Sequence, residues 1–211
     1  MTAVRIRPGE IGLFGYGSLC SMASMERSLG RKYDGPCVPC DLTGWRRGWD
    51  AGMPNKAFHA KTPEGVLHPE NILYLNIRRQ PGAAVNGMLF VIPTSEIELF
   101  DRREWIYDRV DVTSDLRGVE VSGGQATAYV AKTEYVMRDV KSPRVAAVRA
   151  TYLQILADAF RDQGEPFRAE FERTSDPVPE HLVIEDIRDA GEPSPFGYTG
   201  TSDSPPGVSR T

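Results

Sequence analysis

Residues 14–19, with the sequence FGYGSL, constrain the fold of this chain more than any other segment. They follow a short apolar run at residues 11–14, which indicates a buried strand. They precede residues 21–29, which have the pattern of a short helix with Ser21 or Ser24 as its N-cap and Gly30 as its stop. The segment is therefore predicted to turn tightly from strand to helix. Two glycines in such a turn leave backbone N–H groups able to face a ligand, although a glycine pair that simply ends a strand has the same pattern.

A second informative segment lies at residues 101–104, with the sequence DRRE. Ser95 with Glu98 three residues later has the form of a capping box, which predicts the start of a brief helix. Residues 107–112 alternate like a strand, so Glu104 is expected where that helix ends. Its arginine neighbours are typical of a solvated helix end, but the Trp-Ile pair that follows indicates that the chain turns inward. A glutamate in an apolar environment has a raised pKa, as a general acid–base needs.

The remaining pattern predicts an α+β domain. Strands are expected at residues 38–49, 72–77, 85–92 and 125–137, with Gly87 marking a bulge or a close approach. The longest helix is expected to begin at Ser142 and Pro143, and another is expected at residues 178–190. Residues 54–69 are predicted to be a long loop. This order favours a mostly antiparallel sheet, open or closed, in one domain over residues 1–190, with a disordered tail at residues 191–211.

Composition excludes several classes of partner. The 211 residues carry a net charge of −4 with both signs interspersed, which does not favour a nucleic-acid partner. No apolar run approaches the roughly 20 residues that span a bilayer, so no membrane partner is expected. The N-terminus lacks the apolar stretch of a secretory signal, and the three cysteines do not indicate a disulfide framework. We therefore expect a cytoplasmic protein.

Two further side-chain pairs have simple interpretations. Cys37 and Cys40 have the spacing of a zinc or redox half-site, but the chain offers no second half-site, which favours two semi-buried strand cysteines. Arg46 and Arg47 are interpreted as solubilising charges at a strand edge, with a ligand carboxylate as the alternative partner.

The turn and the glutamate segment together resemble the γ-glutamylcyclotransferase-like family. Residues 14–19 resemble its Tyr-Gly-Ser loop, and residues 85–92 resemble its strand with an internal glycine. Residues 101–104, with Tyr107 and Arg109 after them, resemble its segment with the catalytic glutamate, and the later helix also suits the family. The resemblance covers roughly residues 11–160. It implies a small mixed, mostly antiparallel β-barrel flanked by helices, with no metal and no organic cofactor.

The resemblance also implies an activity. Family members cleave γ-glutamyl amides and release 5-oxoproline and a free amine, because the α-amine of the substrate attacks its own γ-carbonyl. Glu104 matches the general acid–base of that reaction. The glutamyl group would be held by the main chain of four residues, Tyr16, Gly17, Ser18 and Leu19. The expected partner is thus a small γ-glutamyl substrate, while the leaving amine and the oligomeric state are not predicted.

The chain also departs from the family pattern. Some members have asparagine where Leu19 stands and glycine where Trp105 stands. Trp105 and Tyr107 are expected at the pocket, and the 54–69 segment could act as a specificity lid. Two alternatives remain open: a non-catalytic small-molecule binder in which Trp105 blocks turnover, and a hydrolase that uses Cys20 beside the turn.

Overall fold

The computed structural model describes residues 2–189, so the tail expected at residues 191–211 lies outside the described residues. The strands are β1 Thr2–Arg5, β2 Glu10–Gly15, β3 Cys37–Pro54, β4 Phe58–Thr62, β5 Gly65–Leu67, β6 Asn71–Pro93, β7 Tyr107–Asp111, β8 Leu116–Arg117, β9 Val119–Ser122, β10 Ala126–Ala131, β11 Ala146–Arg149, β12 Val183–Ile184 and β13 Ile187–Arg188. The helices are α1 Met22–Leu29, α2 Ile97–Arg103, α3 Ala150–Gln163 and α4 Glu165–Arg173. Short 3-10 turns occupy Ser18–Cys20, Thr94–Glu96, Thr113–Asp115, Thr133–Tyr135 and Glu180–Leu182.

The main sheet is built on two long strands, β3 and β6, which pair antiparallel along most of their length. Its order is β12-β11-β6-β2-β10-β7, with β3 beside β6 and β8 beside β3. The register of β3 shifts between Thr43 and Trp45 and again between Gly48 and Ala51, as at β-bulges that bend a strand. The predicted α+β class and mostly antiparallel sheet are confirmed. The expected closed barrel is not formed, because the strand pairing over residues 2–189 leaves this sheet open.

The N-cap serine and the terminating glycine predicted for α1 are confirmed. The Ser21 hydroxyl accepts a hydrogen bond from the Ser24 N–H at 3.4 Å, and Gly30 ends the helix in the left-handed conformation with a φ of 68°. The capping box predicted for α2 is wrong. A 3-10 turn at Thr94–Glu96 comes first, so α2 begins only at Ile97, beyond the serine, and no side chain caps its N-terminus.

The segment predicted as a long loop at residues 54–69 instead contains a hairpin of β4 and β5. Its inward side chains Phe58, Ala60 and Leu67 are buried, which stabilises strands where the prolines and glycine had indicated irregular structure. β13 pairs with the other edge of β4 and completes a separate three-stranded sheet.

Both predicted C-terminal helix positions are corrected. Residues 146–149 form β11 between β6 and β12, with all four side chains buried, so the long helix α3 begins only at Ala150. Residues 178–190 were predicted to be helical, but their described part contains a 3-10 turn and the short strands β12 and β13. A short segment with three apolar residues is compatible with either a buried strand or a helix, and long-range pairing decides between them here. The strand predicted at residues 125–137 is shorter and ends at Ala131.

A single large hydrophobic cluster joins the sheet to the helices. It contains Leu13 of β2 and Phe90 of β6 together with Met25 of α1 and Phe100 of α2, all of them fully buried. This packing holds the end of β2 near the end of α2, which positions the candidate site. Over residues 2–189, no helix has the length and apolar character needed to cross a membrane.

Candidate functional site

The predicted turn lies between β2 and α1. β2 ends at Gly15, and a 3-10 turn at Ser18–Cys20 leads into α1. At Gly15 the chain folds back so tightly that a Cβ atom would lie 2.6 Å from the Leu19 carbonyl oxygen. A Cβ atom on Gly87 of β6 would meet the Gly15 carbonyl oxygen and the Phe14 ring, so the close approach expected at this glycine is confirmed. The turn therefore depends on glycine at both positions because of close backbone contact.

Glu104 lies in the short connection between α2 and β7, where the sequence placed it. Its N–H donates to the Phe100 carbonyl at 2.7 Å, and its carbonyl accepts from the Tyr107 N–H at 2.8 Å. The Glu104 side chain is only 16% exposed, so it is not a solvated helix-end charge. Ile106 is buried, which agrees with the expected inward turn of the chain.

The turn and the glutamate line the same cavity, whose volume is about 50 Å³. The predicted residues that line it are Tyr16, Gly17, Ser18, Leu19, Glu104 and Tyr107. Apolar wall is supplied by Phe14, Met53, Leu75 and Ile106. The structure thus brings together two segments that are about 85 residues apart in the chain.

Phenol groups form much of the polar wall. The Tyr16 hydroxyl donates to the Tyr129 carbonyl at 2.6 Å, and the Tyr107 hydroxyl donates to the Leu75 carbonyl at 2.9 Å. The Tyr129 hydroxyl donates to Asp101 at 2.8 Å. Tyr152 of α3 lies over the turn, close enough that a Cβ atom on Gly17 would be 3.1 Å from its hydroxyl oxygen.

The electrostatics of the cavity follow from burial. Burial raises the pKa of the Glu104 carboxyl, and the neighbouring Arg103 guanidinium, whose Nε lies 3.0 Å from Glu104 Oε1, acts in the opposite direction. Burial also raises the pKa values of Tyr16, Tyr107 and Tyr152, and the charge of Glu104 raises each of them further. These phenols are therefore neutral at ordinary pH and can act as hydrogen-bond donors.

The two residues expected at the pocket differ in position. Tyr107 lines the cavity, but Trp105 does not. The Trp105 side chain is turned outward and 38% exposed, with its ring edge-on to Tyr135 at a centroid distance of 5.3 Å. The prediction that Trp105 shapes or blocks the pocket is wrong, because residues 104–106 form a turn, closed by the Tyr107 N–H on the Glu104 carbonyl, that leaves the Trp105 side chain outside the cavity. None of residues 54–69 lines the cavity, so the segment expected as a specificity lid does not contact it in this structure.

The cysteines offer no nucleophile to this cavity. Cys20 is fully buried, its thiol donates to the Gly15 carbonyl at 3.2 Å, and burial raises its pKa to about 12. A thiol held in its protonated form is a poor nucleophile, which removes the basis for a Cys20 hydrolase. Cys37 is half-buried and Cys40 is buried, both in β3, as interpreted from the sequence. Within residues 2–189, no group of three His, Cys, Asp or Glu side chains could hold a metal ion.

Sequence patterns missed several residues of the site. Tyr129 and Tyr152 belong to an ordinary strand and an ordinary helix stripe, and no local motif marks them. Arg103 had the appearance of a surface charge but is 6% exposed. Arg47, interpreted as a strand-edge charge, is fully buried, because α4 packs over it. Burial of an arginine can be recognised only when the tertiary structure shows the hydrogen-bond acceptors that surround its guanidinium.

Comparison with solved structures identifies the fold. No family model matches the chain, and no curated protein matches it. A solved structure of γ-glutamyl cyclotransferase superposes with a TM-score of 0.54 at 14% identity, covering 81% of this chain and 90% of its own. The uncharacterized protein loc79017 from Homo sapiens gives a TM-score of 0.53 at 13% identity, with coverage of 81% and 90%. The chain therefore has a γ-glutamyl cyclotransferase-like fold, and at this identity the likeness is one of fold alone.

Proposed function

We propose that this protein is a γ-glutamyl amide cyclotransferase, which releases 5-oxoproline and a free amine. One observation carries the proposal: the Glu104 carboxyl and the turn of residues 16–19 line one cavity, in a chain with the fold of a γ-glutamyl cyclotransferase. A fold by itself hosts many functions, so the argument rests on this pairing of a buried carboxyl with a glycine turn.

In the proposed reaction, ionised Glu104 takes a proton from the substrate α-ammonium group. The freed amine attacks the γ-carbonyl carbon, and a C–N bond closes the five-membered ring. Negative charge develops on the carbonyl oxygen, where backbone N–H groups of residues 16–19 and the neutral Tyr152 hydroxyl can donate hydrogen bonds. Protonated Glu104 then gives its proton to the leaving nitrogen, and the original amide C–N bond breaks. The second proton of the ring nitrogen passes to the released amine, which leaves as an ammonium, and Glu104 is again ionised.

The environment of Glu104 suits both halves of this proton transfer. Burial raises its pKa, which favours uptake of a proton from the substrate, while the Arg103 charge acts in the opposite direction and favours the ionised form that starts the reaction. The nucleophile belongs to the substrate, so the reaction as written needs no enzyme nucleophile, metal or organic cofactor. The substrate would be a small γ-glutamyl compound whose leaving amine is a peptide, an amine or a biosynthetic intermediate.

The test is 5-oxoproline release from glutathione, γ-glutamyl-alanine and γ-glutamyl-lysine. Glu104→Gln keeps the shape of the side chain but cannot titrate, and we expect it to lower kcat by at least about 100-fold. Glu98→Gln is the matched control, because Glu98 lies on α2, the helix that precedes Glu104, with its side chain 82% exposed. Full activity in Glu104→Gln would remove Glu104 from the mechanism. Binding of these compounds by thermal shift without any product would favour a non-catalytic binder.

A further inference from the structure

Arg103 is the buried cation at the end of α2, and its side chain is only 5% exposed. The guanidinium donates from Nη1 to the Ser28 hydroxyl at 2.6 Å, and from Nη2 to the hydroxyls of Ser18 at 2.8 Å and Ser24 at 3.1 Å. Its Nε lies 3.0 Å from Glu104 Oε1. One planar group therefore contacts the turn, helix α1 and the carboxyl at the same time.

We propose that Arg103 is the positioning residue of the site, which fixes the Glu104 carboxyl relative to the turn of residues 16–19 and keeps that carboxyl ionised before substrate binds. This inference rests on the proposed function and adds to it a residue that sets the geometry of proton transfer. Arg103 itself acts through Glu104 and Ser18 rather than on the reacting atoms.

The geometry of the contacts supports a positioning role. A carboxylate with free rotation would spend little time at the substrate nitrogen, and small displacements of a catalytic group are costly in rate. Arginine presents its donors in a rigid fork, so three serine oxygens fix the plane of the guanidinium. The positive charge is thereby held 3.0 Å from Glu104 Oε1, where it attracts the carboxylate. A lysine ammonium is a point charge and cannot satisfy the same set of acceptors.

The charges around the site support the proposal that Arg103 keeps the Glu104 carboxyl ionised. The charge of Glu104 also acts on four phenols of the described residues, which come from separate elements: Tyr16 after β2, Tyr107 in β7, Tyr129 in β10 and Tyr152 in α3. All four are neutral at ordinary pH because burial raises their pKa values. Arg103 thus supplies the opposite charge that offsets the burial of Glu104.

The experiment compares Arg103→Gln, Arg103→Lys and the control Arg102→Gln. Arg102 is the adjacent arginine, with its side chain 63% exposed and directed toward Glu98. Each variant is assayed over pH with whichever of glutathione, γ-glutamyl-alanine and γ-glutamyl-lysine the wild type converts fastest. We expect Arg103→Gln to lower kcat/KM at neutral pH by about 10- to 100-fold. We also expect the acid limb of its pH profile to move to higher pH, with Arg102→Gln unchanged.

Arg103→Lys separates charge from geometry. Because the positive charge is retained, its acid limb should stay near that of the wild type, whereas kcat should fall by about 10-fold through loss of the fork. If Arg103→Gln does not fold, Ser28→Ala removes one of the three serine contacts and should give a smaller loss of the same kind.

A second readout does not depend on turnover. The Glu104 carboxyl carbon can be titrated by ¹³C NMR, with Glu104→Gln identifying its signal, and should titrate at higher pH in Arg103→Gln than in the wild type. A lowered melting temperature with this titration and the pH profile unchanged would overturn the proposal and leave Arg103 a purely structural residue. If no panel compound is converted, the proposed function fails, while the NMR titration still decides whether Arg103 holds Glu104 ionised.

Discussion

At the scale of single residues, the Glu104 carboxyl is buried, and burial makes its ionised form less favourable than in water. Burial raises its pKa above the ordinary value of 4.5, and the pairing with Arg103 offsets only part of that effect. In the unfolded chain the same carboxyl loses its proton at lower pH. Folding stability therefore falls as the pH rises through the interval between the unfolded and folded pKa values of this group.

Glu104→Gln should consequently stabilise the protein at neutral pH. The glutamine side chain stays neutral, and its amide oxygen can still accept from Arg103, so the variant resembles the protonated glutamate. The melting temperature of the variant should exceed that of the wild type at pH 7, and the difference should disappear below about pH 3, where the wild-type carboxyl is protonated in both states. Thermal unfolding at the two pH values measures this. An identical difference at both pH values would contradict the linkage.

At the scale of elements, the buried side chain of Arg47 connects helix α4 to the sheet. Arg47 of β3 lies with its guanidinium 3.6 Å from the centroid of the Phe171 ring. It donates to the Phe171 carbonyl at 3.1 Å and to the Ser175 hydroxyl at 2.8 Å, and it also donates to the backbone carbonyl of Asn86 in β6. Burial lowers its pKa to about 10, so it remains charged at neutral pH.

Arg47→Ala is expected to destabilise the fold by about 3–5 kcal/mol, because it leaves a cavity and several buried acceptors without a donor. Arg46→Ala is the matched control. The Arg46 side chain is 28% exposed and pairs with Asp176 at 2.9 Å, an interaction worth about 0–1 kcal/mol. Urea denaturation of both variants measures the difference. Similar midpoints for the two would refute the anchoring role of Arg47.

A second element contact fixes the start of helix α3 from a distance. The N-cap residue Arg149 supplies no side-chain cap, but Asp186 accepts from the Thr151 N–H at 2.9 Å. Asp186 also pairs with Arg149 at 2.9 Å, and both side chains are almost fully buried. The segment between β12 and β13 therefore caps a helix that precedes it in the chain, and this helix carries Tyr152 into the site.

Asp186→Ala should cost about 3–5 kcal/mol of unfolding free energy, since the buried charge of Arg149 loses its carboxylate partner. Glu185→Ala, one residue earlier and exposed, should change the stability by less than about 0.5 kcal/mol. Chemical denaturation followed by far-UV circular dichroism distinguishes them. Equal effects of the two substitutions would show that Asp186 does not act as the cap.

At the scale of the whole molecule, the large hydrophobic cluster extends from β1 to α4. A core shared by elements from both ends of the described chain favours one cooperative unit. This supports the sequence prediction of one domain over residues 1–190, which stays a prediction until unfolding is measured. The cytoplasmic location expected from composition likewise stays a prediction.

Thermal unfolding should therefore give a single transition. Trp45 is buried in the cluster and Trp49 packs partly against it, so tryptophan fluorescence reports on the core while far-UV circular dichroism reports on the backbone. The two probes should give the same midpoint for a two-state domain. Two resolved transitions would mean that the C-terminal elements form a separate unit.

Much of the site was predictable because its signals are local. The glycines of residues 14–19, the serine cap and Gly30 of α1, and the change from helix to strand around Glu104 each depend on neighbours in the chain. Steric limits on the backbone and the hydrogen bonds of helix ends act over a few residues, so such patterns are visible without a fold. The resemblance then joined the two segments into one expected site.

The wrong predictions concern features that depend on residues far apart in the chain. Residues 146–149 form a strand because β6 and β12 pair with them, and the local hairpin at residues 58–67 is stabilised by burial of Ala60 and Leu67 against Ala147 and Ile184. A 3-10 turn takes the place of the capping box predicted for α2. Trp105 faces outward while Arg103 and Arg47 face inward, against what their polarity alone suggests. Burial of a cation is tolerable only when acceptors from other elements surround it, and those acceptors cannot be found by examining neighbours in sequence.

By itself, the sequence determined the turn, the position of Glu104 at the end of a helix, and the α+β class. Only the tertiary structure decided that Tyr129, Tyr152 and Arg103 surround that carboxyl and that the sheet stays open. The physical reason is one of range. Local conformation is set by backbone sterics within a few residues, whereas burial, charge pairing and pKa arise from contacts between residues far apart in the chain.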